Sequence, residues 1–260
     1  MIESPKRVLR RIVLRAELCA EFRSFELISP WYRPCFSREP MSNPEKKADP
    51  QELLDNAPDT EKLLLARLEG STTTEEYFRW MLFVVGFYRG VSKIESAVQL
   101  LEAYIKVSKD VEQSAHCYLA LGQIATDEMR YQAALNHFLA ALDLAPQKRK
   151  VIYVLHNNIG YCFNSLGRFN EGEKYCRMAI EIDWTRASGY RNLGVSLNGQ
   201  RNIFGATWAL VEAVKADGSD NRARLFLEKL LALHPTLAVQ CPWAVQSLIS
   251  DQNAAPVVLC

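Results

Sequence analysis

Two asparagines, Asn158 and Asn192, are the side chains of this sequence best suited to binding chemistry. Each precedes an aliphatic residue and a glycine, in Asn158-Ile159-Gly160 and Asn192-Leu193-Gly194. An asparagine amide donates and accepts hydrogen bonds at once, so it satisfies both polar groups of an extended peptide backbone. The shared context therefore predicts two equivalent amides that hold a peptide. The alternative, that both amides occupy exposed helix positions or cap neighbouring backbone, is equally compatible with the sequence.

The sequence does not place catalytic or metal-binding residue types at the spacings that known motifs require. No nucleophile is placed with a base, and no glycine-rich phosphate loop or dinucleotide motif occurs. The four histidines are scattered, and the seven cysteines include no Cys-x-x-Cys pair. We therefore predict no catalytic residue, no metal site and no cofactor, and we interpret the cysteines as reduced and mostly buried core residues.

Three segments repeat one framework of small and bulky apolar residues around a glycine. The first copy is Tyr118, Leu121-Gly122, Ala134, Phe138, Ala141 and Pro146. The second copy is His156, Ile159-Gly160, Gly172, Cys176, Ala179 and Trp184. The third copy is Tyr190, Leu193-Gly194, Ala206, Leu210, Ala213 and Gly218. The first interval between glycines exceeds the second by four residues, which we place in a loop near Gln147 to Lys150, between two copies.

This framework resembles the tetratricopeptide repeat, a helix pair of about 34 residues with Leu-Gly in its first helix and Ala, Phe and Ala in its second. The interval from Gly160 to Gly194 equals this repeat length. The resemblance implies an all-α fold, a right-handed superhelix of antiparallel helix pairs known as an α-solenoid. Stacked pairs share one continuous core, and small residues let neighbouring helices approach. The resemblance also implies a concave groove, lined by the first helix of each pair, that binds other proteins.

The remaining sequence is organised around these repeats. We predict a basic N-terminal extension over 1–40, either disordered or untranslated if translation starts at Met41, capping helices over 41–74 (50–56 and 60–69), a repeat domain over 75–250 and a disordered tail over 251–260. Within the repeat domain we predict a degenerate repeat over 75–108, repeats over 115–146, 153–184 and 187–218, and a capping helix over 221–234. A short turn over 243–249 follows.

Charge and hydropathy narrow the classes of partner. Residues 1–40 carry 8 Lys and Arg against 5 Asp and Glu, and residues 41–260 carry 23 against 25. A nearly neutral body argues against non-specific nucleic-acid binding, which requires several phosphate-neutralising cations on one face. We interpret the only basic cluster of the repeats, Lys148-Arg149-Lys150, as a solvated loop. No apolar run reaches the roughly 20 residues of a membrane span, so we predict no stable membrane insertion and a cytoplasmic location.

The predicted peptide-binding groove lies on the first helices of the three repeats. Its residues are Leu119, Gln123, Asn157, Asn158, Tyr161, Asn164, Arg191, Asn192, Val195 and Asn198. Asn158 and Asn192 resemble the asparagine ladder of O-linked N-acetylglucosamine transferase, although the first repeat has Ala120 at the matching position. A carboxylate clamp for chaperone C-termini is not expected, because Ser188 and Asn192 stand where that clamp requires two cations.

The sequence therefore predicts a non-catalytic adaptor or scaffold that holds a peptide or partner helix in a concave groove. Its partner is a protein or peptide, and its oligomeric state stays open. One alternative is a bacterial secretion chaperone of the class II type III kind, because those proteins also stack three such repeats behind an N-terminal helical segment. Another alternative is a regulatory module of a larger enzyme assembly.

Overall fold

The computed structural model describes residues 57–250, and within this range it contains helices and no β-strand. The helices of this range are α1 (Ala57–Glu69), α2 (Thr74–Gly90), α3 (Ile94–Val107), α4 (Val111–Asp127), α5 (Tyr131–Asp143), α6 (Arg149–Ser165), α7 (Phe169–Ile182), α8 (Ala187–Gly199), α9 (Ile203–Ala216), α10 (Asn221–Leu233), α11 (Pro235–Gln240) and α12 (Pro242–Ser250). The predictions for 1–40, 50–56 and 251–260 lie outside the described residues. The chain divides into two compact units between Val107 and Ser108.

The smaller unit contains α1, α2 and α3, with α2 packed on both of its neighbours. Side-chain hydrogen bonds cap the start of α2: the Thr73 hydroxyl accepts from the Glu76 N–H at 3.1 Å, and the Glu76 carboxylate accepts from the Thr72 N–H at 3.0 Å. Apolar residues of α2 and α3, including Met81 and Leu101, are buried. Together α2 and α3 span 74–107, which matches the predicted bounds 75–108 within one residue, whereas α1 begins three residues before the predicted 60.

The larger unit contains three helix pairs, α4 with α5, α6 with α7, and α8 with α9, followed by α10 to α12. Each pair packs on the next through α5 against α6 and α7 against α8, and α6 also packs directly on α8. This arrangement confirms the predicted all-α solenoid of antiparallel helix pairs. It contains one unpredicted helix, α11, because Pro235 stands at the first position of a new helix, where its missing N–H costs nothing.

Each framework glycine lies against a framework side chain of its partner helix. A Cβ atom at Gly122 would lie 2.4 Å from the Phe138 ring, and one at Gly160 would lie 2.6 Å from the Cys176 Sγ. At Gly194 the same atom would lie 2.9 Å from Leu210. The first helix of each pair therefore needs a glycine so that the second helix can pack against its backbone. The contact recurs in register because the four extra residues lie between pairs.

The loop that holds those extra residues is tethered to the repeat before it. The Glu112 carboxylate, in the first turn of α4, accepts the Lys148 N–H at 3.1 Å and also the Gln147 N–H. The loop is therefore fixed immediately before α6 begins. This tether places the second repeat in register with the first despite the longer connection.

Alanines form the seam between the helices, as the sequence predicts. The five alanines at the second-helix framework positions are fully buried: Ala134, Ala141, Ala179, Ala206 and Ala213. Because interiors are packed to the density of organic crystals, such a seam has no room for a larger side chain.

We expect Ala134→Leu to lower the free energy of unfolding by about 1–3 kcal/mol, because the added atoms have no space in the seam. Urea unfolding followed by circular dichroism measures this loss. The control is Asn136→Leu, at an exposed position of the same helix, where we expect a change within about 0.5 kcal/mol. Equal unfolding midpoints for the two variants would contradict the assigned register.

The turn within each helix pair uses one residue in the left-handed backbone region. These residues are Met129 (φ 57°), Gly167 (φ 74°) and Arg201 (φ 63°), which occupy the same place in their repeats. Ser92, between α2 and α3, has the same conformation (φ 60°), and the buried Ala97 follows it at the offset at which Ala134 follows Met129. This match supports the degenerate repeat over 75–108, which stays a prediction.

Glycine at the two non-glycine turns of the larger unit is expected to stabilise the fold. Met129→Gly and Arg201→Gly should each raise the free energy of unfolding by about 0.5–1 kcal/mol, because glycine adopts positive φ without steric cost. Gly167→Ala should lower it by a similar amount. Thermal unfolding of the three variants checks this pattern, and a loss of stability in both glycine variants would contradict it.

Candidate functional site

Matching positions on α4, α6 and α8 carry six of the predicted groove residues. The residues three before and one after each framework glycine are Leu119 and Gln123, Asn157 and Tyr161, and Arg191 and Val195. The two members of each pair are one helical turn apart, so they share one face of their helix. All six positions retain some solvent exposure. The first helices of the three repeats therefore present equivalent accessible positions.

Asn192 is bonded to the preceding repeat. It is 6% exposed, and its Nδ2 donates to the Asn157 Oδ1 at 3.0 Å. The Asn157 Nδ2 in turn lies 3.4 Å from the Asn158 Oδ1. The amides of the two repeats thus form a hydrogen-bonded chain across α6 and α8. Asn158 is the half-buried end of this chain, and its Nδ2 makes no hydrogen bond within residues 57–250.

Asn164 joins the same two helices deeper in the stack. Its Nδ2 donates to the Asn192 carbonyl oxygen at 2.9 Å, and its Oδ1 accepts from the Ser196 hydroxyl at 2.7 Å. Both side chains are buried. Because a buried amide without partners is costly, this pairing fixes how α6 and α8 approach.

Arg191 is held in an ion pair with Asp220, which immediately precedes α10. The two side chains are 15% and 8% exposed. The Asp220 Oδ1 also caps α10 by accepting the Arg222 N–H at 3.1 Å and the Ala223 N–H at 3.3 Å. The Arg191 guanidinium therefore connects α8 to the start of α10.

These contacts narrow the predicted groove at Asn164, Arg191 and Asn192. Their spacing on the helices is as expected, and each side chain bonds to a neighbouring element of the fold. The accessible remainder, called the inner face below, is Leu119, Gln123, Asn157, Asn158, Tyr161, Val195 and Asn198.

Tyr161 is the largest accessible side chain of the inner face. Its ring lies edge-on to Tyr131 with centroids 6.1 Å apart. Desolvation and then the neighbouring Tyr161 raise the pKa of Tyr131. A fixed aromatic ring of this kind gives apolar contact at low entropic cost.

A fourth matching helix face, on α10, was not predicted from the sequence. Leu227 is buried one repeat length after Leu193, so α10 continues the repeat spacing. Arg222, Leu225 and Lys229 then match Ser188, Arg191 and Val195, and all three are exposed. The spacing of the two leucines was the available signal, although Glu228 stands where the other first helices have glycine.

The thiols of the described part of the chain are buried and hard to ionise. Cys117, Cys162, Cys176 and Cys241 are free and buried. Burial raises the pKa of Cys117 and of Cys176 to about 12, so neither thiol ionises near neutral pH. Within 57–250, no group of three or more His, Cys, Asp or Glu side chains is placed to hold a metal ion.

No helix in that range combines the length and apolar character needed to cross a membrane.

The fold and its repeated inner faces define an α-solenoid of helix pairs. The family model described as the tetratricopeptide repeat matches residues 115–148 and 153–183, which cover the first two helix pairs of the larger unit. Residues 115–183 therefore contain two tetratricopeptide repeats, as the framework around Gly122 and Gly160 predicts.

Curated relatives match parts of the chain. Protein O-mannosyl-transferase Tmtc1 of Drosophila melanogaster is 32% identical over 138 residues, which are 50% of this chain and 16% of that protein. The Hsp70-Hsp90 organising protein of Plasmodium falciparum is 30% identical over 112 residues, 42% of each chain. Response regulator aspartate phosphatase J of Bacillus subtilis (strain 168) is 31% identical over 88 residues, 33% of this chain and 24% of that protein. The chain spans less than half the length of these relatives, two of which are named as enzymes.

Solved structures show the same fold at low sequence identity. BtubC from P. vanneervenii is similar with a TM-score of 0.59 and 14% identity, over 82% of this chain and 96% of that chain. The APC/C hetero-tetramer Cut9-Hcn1 is similar with a TM-score of 0.56 and 16% identity, over 70% of this chain and 35% of that chain. These likenesses concern the fold alone.

Proposed function

We propose that this chain is a non-catalytic adaptor whose inner face holds an extended peptide or a partner helix. The observation that carries the proposal is the repetition of accessible side chains at matching positions of α4, α6 and α8. The neighbouring framework positions are buried and serve packing. A row of equivalent side chains along stacked helices suits a ligand that is itself extended.

The chemistry of the inner face favours recognition of a peptide backbone. Leu119 and Val195 offer apolar contact, while Gln123, Asn158 and Asn198 offer amides, and the set contains no charged group. We propose that the Asn158 Nδ2 donates to a peptide carbonyl. Towards α10 the exposed Lys229 adds positive charge, so we propose that the ligand carries an acidic residue at that end.

Protein is favoured over nucleic acid because the cations of the repeats are largely engaged. Arg149 and Lys150 begin α6, which corrects their predicted place in a loop, and Arg149 donates to the Ile182 carbonyl oxygen at 2.6 Å. Arg168 pairs with Glu171 and Arg177 with Glu173. A continuous basic stripe of the kind that neutralises phosphates is therefore not expected. The four free, buried thiols favour a reducing compartment, so a cytoplasmic location stays part of the proposal.

A peptide-display selection tests the proposal because it works without an identified partner. Peptides selected on the full chain are measured by calorimetry against the wild type and Asn158→Ala/Tyr161→Ala. We expect at least about a tenfold loss of affinity, which is roughly 1.4 kcal/mol, because the variant removes a backbone donor and an aromatic contact.

The matched control is Asn170→Ala/Lys174→Ala, two exposed side chains of α7. This variant should bind the selected peptides as the wild type does, and both variants should unfold at the wild-type midpoint. Loss of binding by the α7 variant with full binding by the inner-face variant would reject the proposal.

A further inference from the structure

Two large aromatic side chains are exposed on α9, one helical turn apart. Phe204 is 57% exposed and Trp208 is 42% exposed. Neither belongs to the inner face, which is built from the first helices of the pairs. Exposed apolar groups in contiguous patches mark interaction sites.

The repeat itself shows that packing does not require these aromatics. The positions that match Phe204 and Trp208 carry Asn170 and Lys174 on α7. On α5 the same positions carry Gln132 and Asn136. All four of these residues are polar and exposed. The third repeat thus has two rings where the other two have solvated groups.

Two further rings extend the patch. Tyr190 of α8 is edge-on to Trp208 with centroids 6.2 Å apart, and Trp243 of α12 is edge-on to Phe204 with centroids 6.1 Å apart. The four side chains Phe204, Trp208, Tyr190 and Trp243 are called the aromatic surface below. The nearby charges of α9, Glu212 and Lys215, pair with each other at 2.8 Å. The aromatic surface therefore suits an uncharged occupant.

The size of the aromatic surface selects a short segment over a second subunit. Stable dimers bury about 800 Å² on each partner. Two partly exposed rings and two half-buried ones supply a small part of that area, because a whole aromatic side chain buries about 150–250 Å². A few residues of extended chain are enough to cover them.

We propose that the apolar segment 254–259 of this chain, which reads Ala-Ala-Pro-Val-Val-Leu, covers the aromatic surface. The segment follows α12, the helix that places Trp243 beside Phe204. The only charged residue between α12 and this segment is Asp251. Proline and aliphatic side chains pack well on aromatic faces, and the sequence supplies both here.

The reach of the segment is sufficient. The Arg224 guanidinium donates to the Leu248 carbonyl oxygen at 3.1 Å, which fixes the last turn of α12 to α10. From there the chain must return about 10 Å to the level of Trp243, seven helical residues back. The nine residues from 251 to 259 span up to about 30 Å when extended. Tethering gives an effective concentration in the millimolar range, so weak intrinsic affinity is enough.

Fluorine NMR of the full chain labelled with 5-fluorotryptophan tests the proposal, with signals assigned by single Trp→Phe variants. In Val257→Asp/Leu259→Asp the fluorine signals of Trp208 and Trp243 should shift. In the same variant, quenching of Trp208 fluorescence by acrylamide should rise about twofold. Trp184, which is exposed in the loop after α7, should be unchanged. The control Gln252→Asp adds a charge outside the apolar run and should leave all signals in place.

A synthetic peptide of residues 251–260 provides a second test of the proposal. Added at millimolar concentration to Val257→Asp/Leu259→Asp, it should restore the wild-type signals, but not after Phe204→Ser is also introduced. Unchanged Trp208 and Trp243 signals in the segment variant would overturn the proposal. Wild-type signals that depend on protein concentration would also overturn it, because the occupant would then be a second copy of the chain.

Discussion

Asp220→Ala is expected to lower the free energy of unfolding by about 3–5 kcal/mol, because it disrupts two interactions at once. The substitution leaves the Arg191 guanidinium buried without its partner carboxylate. It also removes the cap of α10, where the Arg222 and Ala223 N–H groups would lose their acceptor. Urea unfolding monitored by circular dichroism measures the loss.

Two variants separate the charge from the cap. Asp220→Asn keeps a cap acceptor and loses the charge, so its cost should fall between those of the wild type and Asp220→Ala. Asp217→Ala removes an exposed aspartate of the same loop whose side chain bonds Ser219, and should cost less than about 1 kcal/mol. If Asp220→Ala were no more costly than Asp217→Ala, the ion pair would not be the link between α8 and α10.

Gly172→Ala is expected to destabilise the protein by about 2–4 kcal/mol, although alanine is the better helix former. A Cβ atom at Gly172 would lie 2.2 Å from the Asn164 Oδ1 and 3.1 Å from the Ser196 Oγ. The clash displaces a buried amide from its partners, and that loss exceeds the helix-propensity gain of about 1 kcal/mol. Thermal and urea unfolding both report the change.

Gly86→Ala is the matched control, because a Cβ atom there meets no atom within 4 Å. Gly86 lies inside α2, so we expect a gain of about 0.5–1 kcal/mol from helix propensity alone. Opposite signs for the two glycine variants are the predicted signature. A gain in both would show that Asn164 does not fix the distance between the repeats.

The helix pairs were predictable because their determinants are local in the sequence. A framework glycine and one framework side chain of the partner helix define each close contact, and the alanines mark the seam around it. These residues lie within a single pair, so their spacing alone determines their environment. The start of α6 and the existence of α11 were harder, since Lys148 and Pro235 are compatible with either a loop or a helix start.

The roles of the inner side chains were less predictable because they depend on contacts between repeats. Asn158 and Asn192 are equivalent by spacing, yet Asn192 bonds to Asn157 of the preceding repeat and Asn158 does not have such a partner on α4. Arg191 forms its ion pair with Asp220, which lies 29 residues later in the sequence. The distance between adjacent first helices determines which amides and cations form hydrogen bonds between repeats. The spacing of residues in the sequence does not give that distance.

The inner face, rather than the outer helices, is expected to bind the partner. Chemical-shift mapping of a selected peptide on the isotope-labelled full chain tests this expectation most directly. The largest shifts should occur at the Asn158 and Gln123 side-chain amides and at the Val195 methyls. Shifts confined to the outer residues of α5 and α7, such as Asn136 and Lys174, would contradict it.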